Sequence, residues 1–357
     1  MKKIALIRQK LSGGGAENYL MRLTKNLEKK GVDYEIIHSD FSRLIPSWLK
    51  AILFNIKVCG FKDSSKFYFS LDRICCPDIY RAGDGVHKAF LKTKKLSLNP
   101  LHLVYLAIEK RTFQNSKKII ANSRLVKSQI IKNYDINPDK IEIIYNGIEI
   151  KEFDKKKSKE KLIQEFSIPK NKKIILYAGS GFERKGVKEF LEIISKLKQP
   201  FYAFILGKEK RINSYKRLAK KLDVDKKVIF TGPRSDIDDF YVAADIFLFP
   251  TRYEPFSNVV LEAMSFENVV FTTKQNGASE IIDSNFIMKQ PNDFSVVQKI
   301  EKLLTDEKLL KKEQIGSRKV AKNFTIEKNT KETLQLIEKM FKNETTITPQ
   351  NPNKILC

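Results

Sequence analysis

At 357 residues the chain exceeds the length at which one hydrophobic core usually keeps growing, so two domains are expected. Hydrophobic residues make up 42%, and apolar runs such as 174–176 and 246–249 are far too short to span a bilayer, so no membrane-crossing helix is predicted. The 67 Lys and Arg outnumber 42 Asp and Glu, and the formal charge of +25 would attract nucleic acid, an anionic membrane surface or a phosphorylated substrate. For any individual lysine, a solvated helix face is the simpler account.

Residues 2–7 (KKIALI) read as a strand. Arg8 stops this apolar run after four residues, too soon for the core of a signal peptide. A glycine-rich turn (12–18), an amphipathic helix ending at Gly31 (19–31) and a strand (33–38) make a β-α-β opening. Short apolar strands follow at 66–70, 117–122 and 140–147, separated by segments of helical spacing. The charged stretch 149–161 breaks the pattern. It restarts with strands at 172–179, 201–207, 227–232 and 245–250, alternating with helices at 186–198, 213–222 and 236–243. Strands alternating with helices imply parallel sheets covered on both faces, hence an α/β chain of two doubly wound domains joined near residue 152. A helix at 326–342 and a polar, disordered tail at 343–357 complete the expected order. Cys59, Cys75, Cys76 and Cys357 give no disulfide framework, since adjacent cysteines rarely bridge. With no signal peptide, a cytoplasmic location is expected.

Ligands of open α/β sheets bind beyond the carboxyl ends of strands, which directs attention to three loops. In the first, Gly13, Gly14 and Gly15 precede a helix, and bare backbone amides there can approach a phosphate. The third glycine of a dinucleotide fingerprint falls on Asn18 and no GK[ST] follows, so a tight structural turn explains the pattern almost as well. In the second, residues 179–186 (GSGFERKG), Arg184 and Lys185 stand at a helix entrance, where two cations and nearby amides suit a pyrophosphate. The alternative is a basic surface turn.

The third loop opens residues 253–264, YEPFSNVVLEAM. Pro255 fits a first helical turn, where its missing N–H costs nothing and the amides of Phe256, Ser257 and Asn258 point past the helix end. Glu254 and Glu262 are eight positions apart, about 12 Å along a helix, too far to share a proton. They suit the two ends of one elongated ligand, Glu254 taking sugar hydroxyls and Glu262 the two hydroxyls of a ribose. A capping glutamate plus an exposed one is the plainer alternative.

Together these residues resemble glycosyltransferase family 4, whose E-x7-E motif is similar to Glu254 through Glu262 and whose Arg-Lys phosphate loop is similar to 179–187. Residues 13–17, 121–123, 145–149 and 275–282 match its other landmarks, so the resemblance runs from about residue 3 to 340. DIYRAGDGVH (78–87) and EKRTF (109–113) look closest to the lipopolysaccharide core glucosyltransferases that add glucose to heptose.

The resemblance implies a GT-B fold. A Rossmann-like acceptor domain (1–152) and a Rossmann-like nucleotide-sugar domain (153–325) would face across a cleft, with the helix at 326–342 returning to the first. It implies a retaining hexosyltransferase that moves glucose from UDP-glucose to a lipid-linked lipopolysaccharide or lipooligosaccharide core. By position, Glu262 would hold the ribose and Arg184 and Lys185 the leaving diphosphate. Glu254 with the Phe256, Ser257 and Asn258 region would orient the hexose, and Gly14 and Gly15 would approach the donor phosphate. Asp84 and His87 would face the anomeric carbon or acceptor. Another donor or acceptor (capsule, glycolipid or protein glycan) is the alternative within the family.

No metal or other cofactor is expected. The D-x-D spellings at 223–225 and 236–238 lie at helix edges, and His38, His87 and His102 have no ligand spacing. A nucleotide-cofactor oxidoreductase would need an acid after the second strand, where Asp40 is the sole candidate. A nucleic-acid partner is not expected, as no helix-turn-helix, aromatic ribonucleoprotein motif or zinc spacing occurs. In 88–98, Lys88, Lys92, Lys94 and Lys95 fall among Phe90, Leu91, Leu96 and Leu98. This basic amphipathic stretch is predicted to lie on the anionic cytoplasmic face of the inner membrane, while 101–108 is predicted to be core helix.

Overall fold

The structure is a computed structural model that describes residues 2–11, 15–39, 41–42, 44–93 and 98–345. The chain forms two compact units, Met1–Gly147 with Ile326–Cys357, and Ile148–Thr325. The first contains β1 (Ile4–Ile7), α1 (Gly15–Lys29), β2 (Tyr34–Ile37), α2 (Ser47–Gly60), β3 (Phe67–Ser70), β4 (Ile79–Arg81), α3 (His87–Leu91), α4 (Pro100–Asn115), β5 (Lys118–Ala121), α5 (Arg124–Tyr134) and β6 (Ile141–Ile143). The second contains α6 (Lys155–Phe166), β7 (Lys173–Ala178), α7 (Phe182–Lys185), α8 (Val187–Ile194), β8 (Phe201–Leu206), α9 (Ile212–Lys221), β9 (Val228–Gly232), α10 (Ile237–Ala243), β10 (Ile246–Phe249), α11 (Asn258–Ser265), β11 (Val269–Thr273), β12 (Ile287–Met288), α12 (Val296–Thr305) and α13 (Glu307–Ala321). The last helix, α14 (Ile326–Thr345), belongs to the first unit. It runs into the segment expected to be a tail, and residues 346–357 lie outside the described residues.

Both sheets are parallel and six-stranded, in the orders β2-β1-β3-β4-β5-β6 and β12-β11-β10-β7-β8-β9. Every residue of β1, β3 and β10 is buried, as continuous apolar strands require when helices cover both faces of a sheet. In the first unit Tyr19, Leu20, Leu23 and Leu27 recur at helical spacing along α1 and pack with Ile337 and Met340 of α14 on one face of the sheet. Phe54 and Val58 of α2 pack on Ala5 and Ile7 from the other. Tyr19 Oη donates to Asn329 Oδ1 at 3.0 Å, and Asn329 Nδ2 donates to the Tyr145 carbonyl at 2.6 Å, which fixes α14 against its own unit.

Two expectations are corrected here. Cys59, at the end of α2, and Cys76, before β4, form a disulfide, while buried Cys75 stands outside it. Excluding a bridge between neighbours leaves open a partner 17 residues away, which the α2–β3 turn brings close, so cysteine usage no longer supports a cytoplasmic location. Residues 101–108 are not core throughout: Ile108 is buried but Leu103 is 73% exposed. Among the described residues no helix is long and apolar enough to cross a membrane.

Candidate active site

In the second sheet the chain runs outward from β7 through β8 to β9, then returns to β10 on the other side of β7. Strand order therefore reverses between β7 and β10, and crevices at such reversals are where α/β sheets bind ligands. The segments leaving these two strands carry Arg184 and Lys185, the last residues of α7, and Glu254. Arg184 Nη1 donates to Glu254 Oε1, and Lys185 Nζ lies 3.7 Å from the same oxygen. Arg184 Nη1 also donates to the Tyr253 carbonyl at 2.8 Å, and the Arg184 carbonyl accepts the Arg252 amide at 2.9 Å. The two loops are thus laced through one arginine.

Glycine makes that approach possible. Gly186 has φ +79°, and a Cβ there would stand 1.9 Å from the Pro250 carbonyl oxygen. Gly179 has φ +153°, and a Cβ would meet the Lys185 side chain at 2.9 Å. The lysine lies along the strand end, its Nζ 5.5 Å from the Phe249 ring centre. Glu254 is 9% exposed while the Arg184 side chain stays 35% exposed, so the carboxylate is largely removed from water and the arginine reaches it from the solvent side.

The helix at this site begins at Asn258, three residues later than Pro255 would place it. A residue before proline is held away from helical geometry. Glu254 instead makes a strand-like bridge with Asn276: its amide donates to the Gln275 carbonyl at 3.1 Å and its carbonyl accepts the Gly277 amide at 2.9 Å. The helical separation of about 12 Å therefore does not apply. The Ser257 amide, expected to point at a ligand, donates to Asn276 Oδ1 at 3.3 Å. Phe256 and Ser257 are both buried. Glu262 is half-buried in the second turn of α11 and accepts from Tyr241 Oη at 3.4 Å.

The first sheet reverses between β1 and β3, and the residues just past those strands also meet. Arg8 pairs with Asp72 at 2.7 Å, Glu17 at 3.0 Å and Asp84 at 3.9 Å, and the Gln9 amide donates to Asp72 at 2.5 Å. Burial pushes the Asp72 carboxyl up, against the pull of Arg8. Asp84 is exposed at the tip of its loop. His87, three residues on, is buried: its Nε2 lies 3.1 Å from His102 Nδ1 and its ring meets Tyr105 and Phe90. The structure thus brings Asp84 to the strand-end cluster and sets His87 in an aromatic one. Gly15 is the exposed first residue of α1, and Gly14 lies outside the described residues.

Asp236 and Asp238 are engaged by cations. Arg234 at 2.8 Å holds the Asp236 carboxyl well below the usual carboxylate range, Lys161 approaches it at 2.9 Å, and Lys151 pairs with Asp238 at 2.5 Å. Among the described residues no group of three His, Cys, Asp or Glu is arranged to hold a metal ion. Asn276, Arg8, Glu17, Asp72 and Glu109 were not singled out from sequence. Glu17, Asn276 and Glu109 lie inside the segments 13–17, 275–282 and 109–113 without a role of their own, and Arg8 is a charge that ends an apolar strand at its carboxyl end.

The sequence model "Glycosyl transferases group 1" matches residues 158–320, and "Glycosyltransferase Family 4" matches 80–152. The lipopolysaccharide glucosyltransferase WaaG of Escherichia coli (strain K12) is 28% identical over 223 residues, 58% of this chain and 59% of that protein. The chain spans a little over half the length of the first curated relatives it matches. The crystal structure of WaaG, a glycosyltransferase involved in lipopolysaccharide biosynthesis, superimposes with a TM-score of 0.79 over 94% of this chain and 99% of that one, at 21% identity. Anabaena HepE in complex with UDP-glucose gives 0.73 over 95% and 100%, at 16% identity. Two doubly wound parallel sheets, the loops at their reversals and both sequence models agree: the chain carries group 1 and family 4 type glycosyltransferase regions, has the GT-B fold, and resembles the lipopolysaccharide core transferases.

Proposed function

We propose that this protein is a retaining hexosyltransferase that moves glucose from UDP-glucose to a lipopolysaccharide or lipooligosaccharide core acceptor on the cytoplasmic face of a membrane. The observation that carries the reading is the convergence of Arg184 and Lys185 on one buried carboxylate, Glu254, where the second sheet reverses. Negative charge grows on the diphosphate as the glycosidic bond breaks. Cations already fixed in place stabilise that charge without reorganising. In this reading Arg184 and Lys185 hold the diphosphate, Glu262 the ribose hydroxyls, and Glu254 with the Phe256, Ser257 and Asn258 segment the hexose. Gly14 and Gly15 take the donor phosphate, and Asp84 and His87 serve the acceptor.

Retention follows from family resemblance, with front-face attack and a phosphate oxygen helping to remove the acceptor proton. No metal is required, because the cations of the protein supply the counter-charge. Support for the donor is the UDP-glucose bound by Anabaena HepE, and for the acceptor the lipopolysaccharide role of WaaG. The test is thermal stability in the presence of UDP-, GDP- and ADP-sugars, since a ligand at 100 times its Kd stabilises by about 2.7 kcal/mol. UDP-glucose is expected to raise Tm most, and a larger rise with another sugar nucleotide would replace the donor.

A further inference from the structure

Glu109 on α4 is fully buried, and its carboxylate collects four donors from three places in the first unit. Arg73 Nε reaches it at 2.8 Å, the His87 amide at 2.7 Å, the Lys88 amide at 3.3 Å and Tyr134 Oη at 2.6 Å. Arg73 Nη2 in turn donates to the Gly85 carbonyl at 3.1 Å. The pair therefore grips backbone on both sides of Val86, immediately after Asp84. A third tie, Asn122 Nδ2 to the Gly83 carbonyl at 3.1 Å, holds the near side.

Burying an ion pair is costly, and apolar residues of similar volume often serve stability as well or better. Apart from the Tyr134 hydroxyl and the bond between the two, this pair spends its hydrogen bonds on one short segment, the one that carries Asp84 to the cluster around Arg8. We propose that Glu109 and Arg73 are positioning residues for group transfer, fixing the 83–88 segment so that Asp84 meets the acceptor in one orientation. The inference rests on the acceptor-side reading of Asp84. Neither residue touches the reacting atoms. They act through the backbone they hold, as supporting groups do when catalysis depends on placement.

The experiment compares Glu109→Asp and Arg73→Lys with the unmodified protein, using UDP-glucose and a heptose-terminated core oligosaccharide. Both variants keep the charges, so folding is checked by melting before kinetics. Glu109→Asp withdraws the carboxylate by one methylene, and a displacement of about 1 Å can cost on the order of 100-fold. Transfer to the oligosaccharide is expected to fall about 10- to 100-fold, with UDP affinity and the slow hydrolysis of UDP-glucose by water within about twofold. If one variant does not fold, the other is read alone. Transfer that is unchanged, or that falls together with hydrolysis and UDP affinity, overturns the positioning role. Asp84→Asn separates the two ideas: if it leaves transfer intact, the acceptor-side reading falls. If it slows transfer while Glu109→Asp and Arg73→Lys do not, the positioning role alone falls.

Discussion

Asn276 Oδ1 accepts the Ser257 amide at 3.3 Å, so the head of α11 is closed by an oxygen from the loop after β11. The same oxygen takes the Ala278 amide at 3.1 Å, and Asn276 Nδ2 donates to Thr272 Oγ1 at 3.1 Å. The backbone of residues 275–277 also carries both main-chain hydrogen bonds of Glu254, so this buried turn joins the Glu254 backbone, the helix head and the strand end.

Asn276→Ala would leave two amides without this partner, and an unsatisfied buried polar group costs roughly 1–3 kcal/mol. Chemical denaturation should show a loss in that range. A change below about 0.5 kcal/mol, the scale of ordinary surface substitutions, would mean that the network closes without Asn276.

The alternation of apolar strands with helices was legible because it follows from local periodicity, and it correctly gave two parallel sheets. What escaped reading depends on distant partners. Strand β4 has three residues, too few for a periodic signal, and sits inside a motif that drew attention for chemistry. Glu109 opens the EKRTF segment, but its burial and role are legible only when the chain brings Arg73 and Tyr134 to it. The start of α11 was misplaced because Pro255 fits a first turn locally. The bridge of Glu254 to Asn276, 22 positions away, fixes it otherwise. Arg184, Lys185 and Glu254 were chosen from sequence as separate signals, and their meeting at one carboxylate is a property of the sheet reversal.

Glu262→Ala should weaken UDP binding while leaving the fold intact. The side chain is half-buried on α11, and its hydrogen bond from Tyr241 Oη, at 3.4 Å, is long. Loss of a hydrogen-bonding carboxylate on the ribose should cost roughly 1.5–3 kcal/mol, read by calorimetry. Unchanged affinity would remove Glu262 from the nucleotide site.

Arg184→Ala and Lys185→Ala should lower kcat more than they raise KM, because the charge they meet is greatest in the transition state. Arg184→Ala carries a second effect, since its guanidinium also ties Tyr253 and Glu254. Lys185→Ala is therefore the cleaner measurement. A change confined to KM would assign the lysine to ground-state binding only.

Activity should survive EDTA. Asp236 and Asp238 already neutralise Arg234, Lys161 and Lys151, which leaves the D-x-D spelling poorly suited to a divalent ion. The assay is turnover after chelation, with and without added Mn²⁺. Loss that Mn²⁺ restores would require a metal in the mechanism.

Attachment to an anionic membrane is the remaining expectation, and the structure changes which residues can serve it. Lys88 Nζ donates to the Asn133 carbonyl at 3.2 Å and Lys92 Nζ to Asn133 Oδ1 at 3.3 Å, so both cations lie against the end of α5. Lys94, Lys95 and Leu96 lie outside the described residues. Leu98 and Leu103, in contrast, are 92% and 73% exposed at the head of α4. Shallow insertion by these two leucines, with lysines contributing up to about 1 kcal/mol each near a charged surface, would give reversible attachment. Purified protein should sediment with vesicles containing phosphatidylserine and release as salt shortens the screening length below about 10 Å. Leu98→Ser with Leu103→Ser should weaken sedimentation more than Lys88→Gln with Lys92→Gln. Equal loss from both pairs would return the lysines to the surface contact, and binding indifferent to all four changes and to salt would place the membrane contact elsewhere.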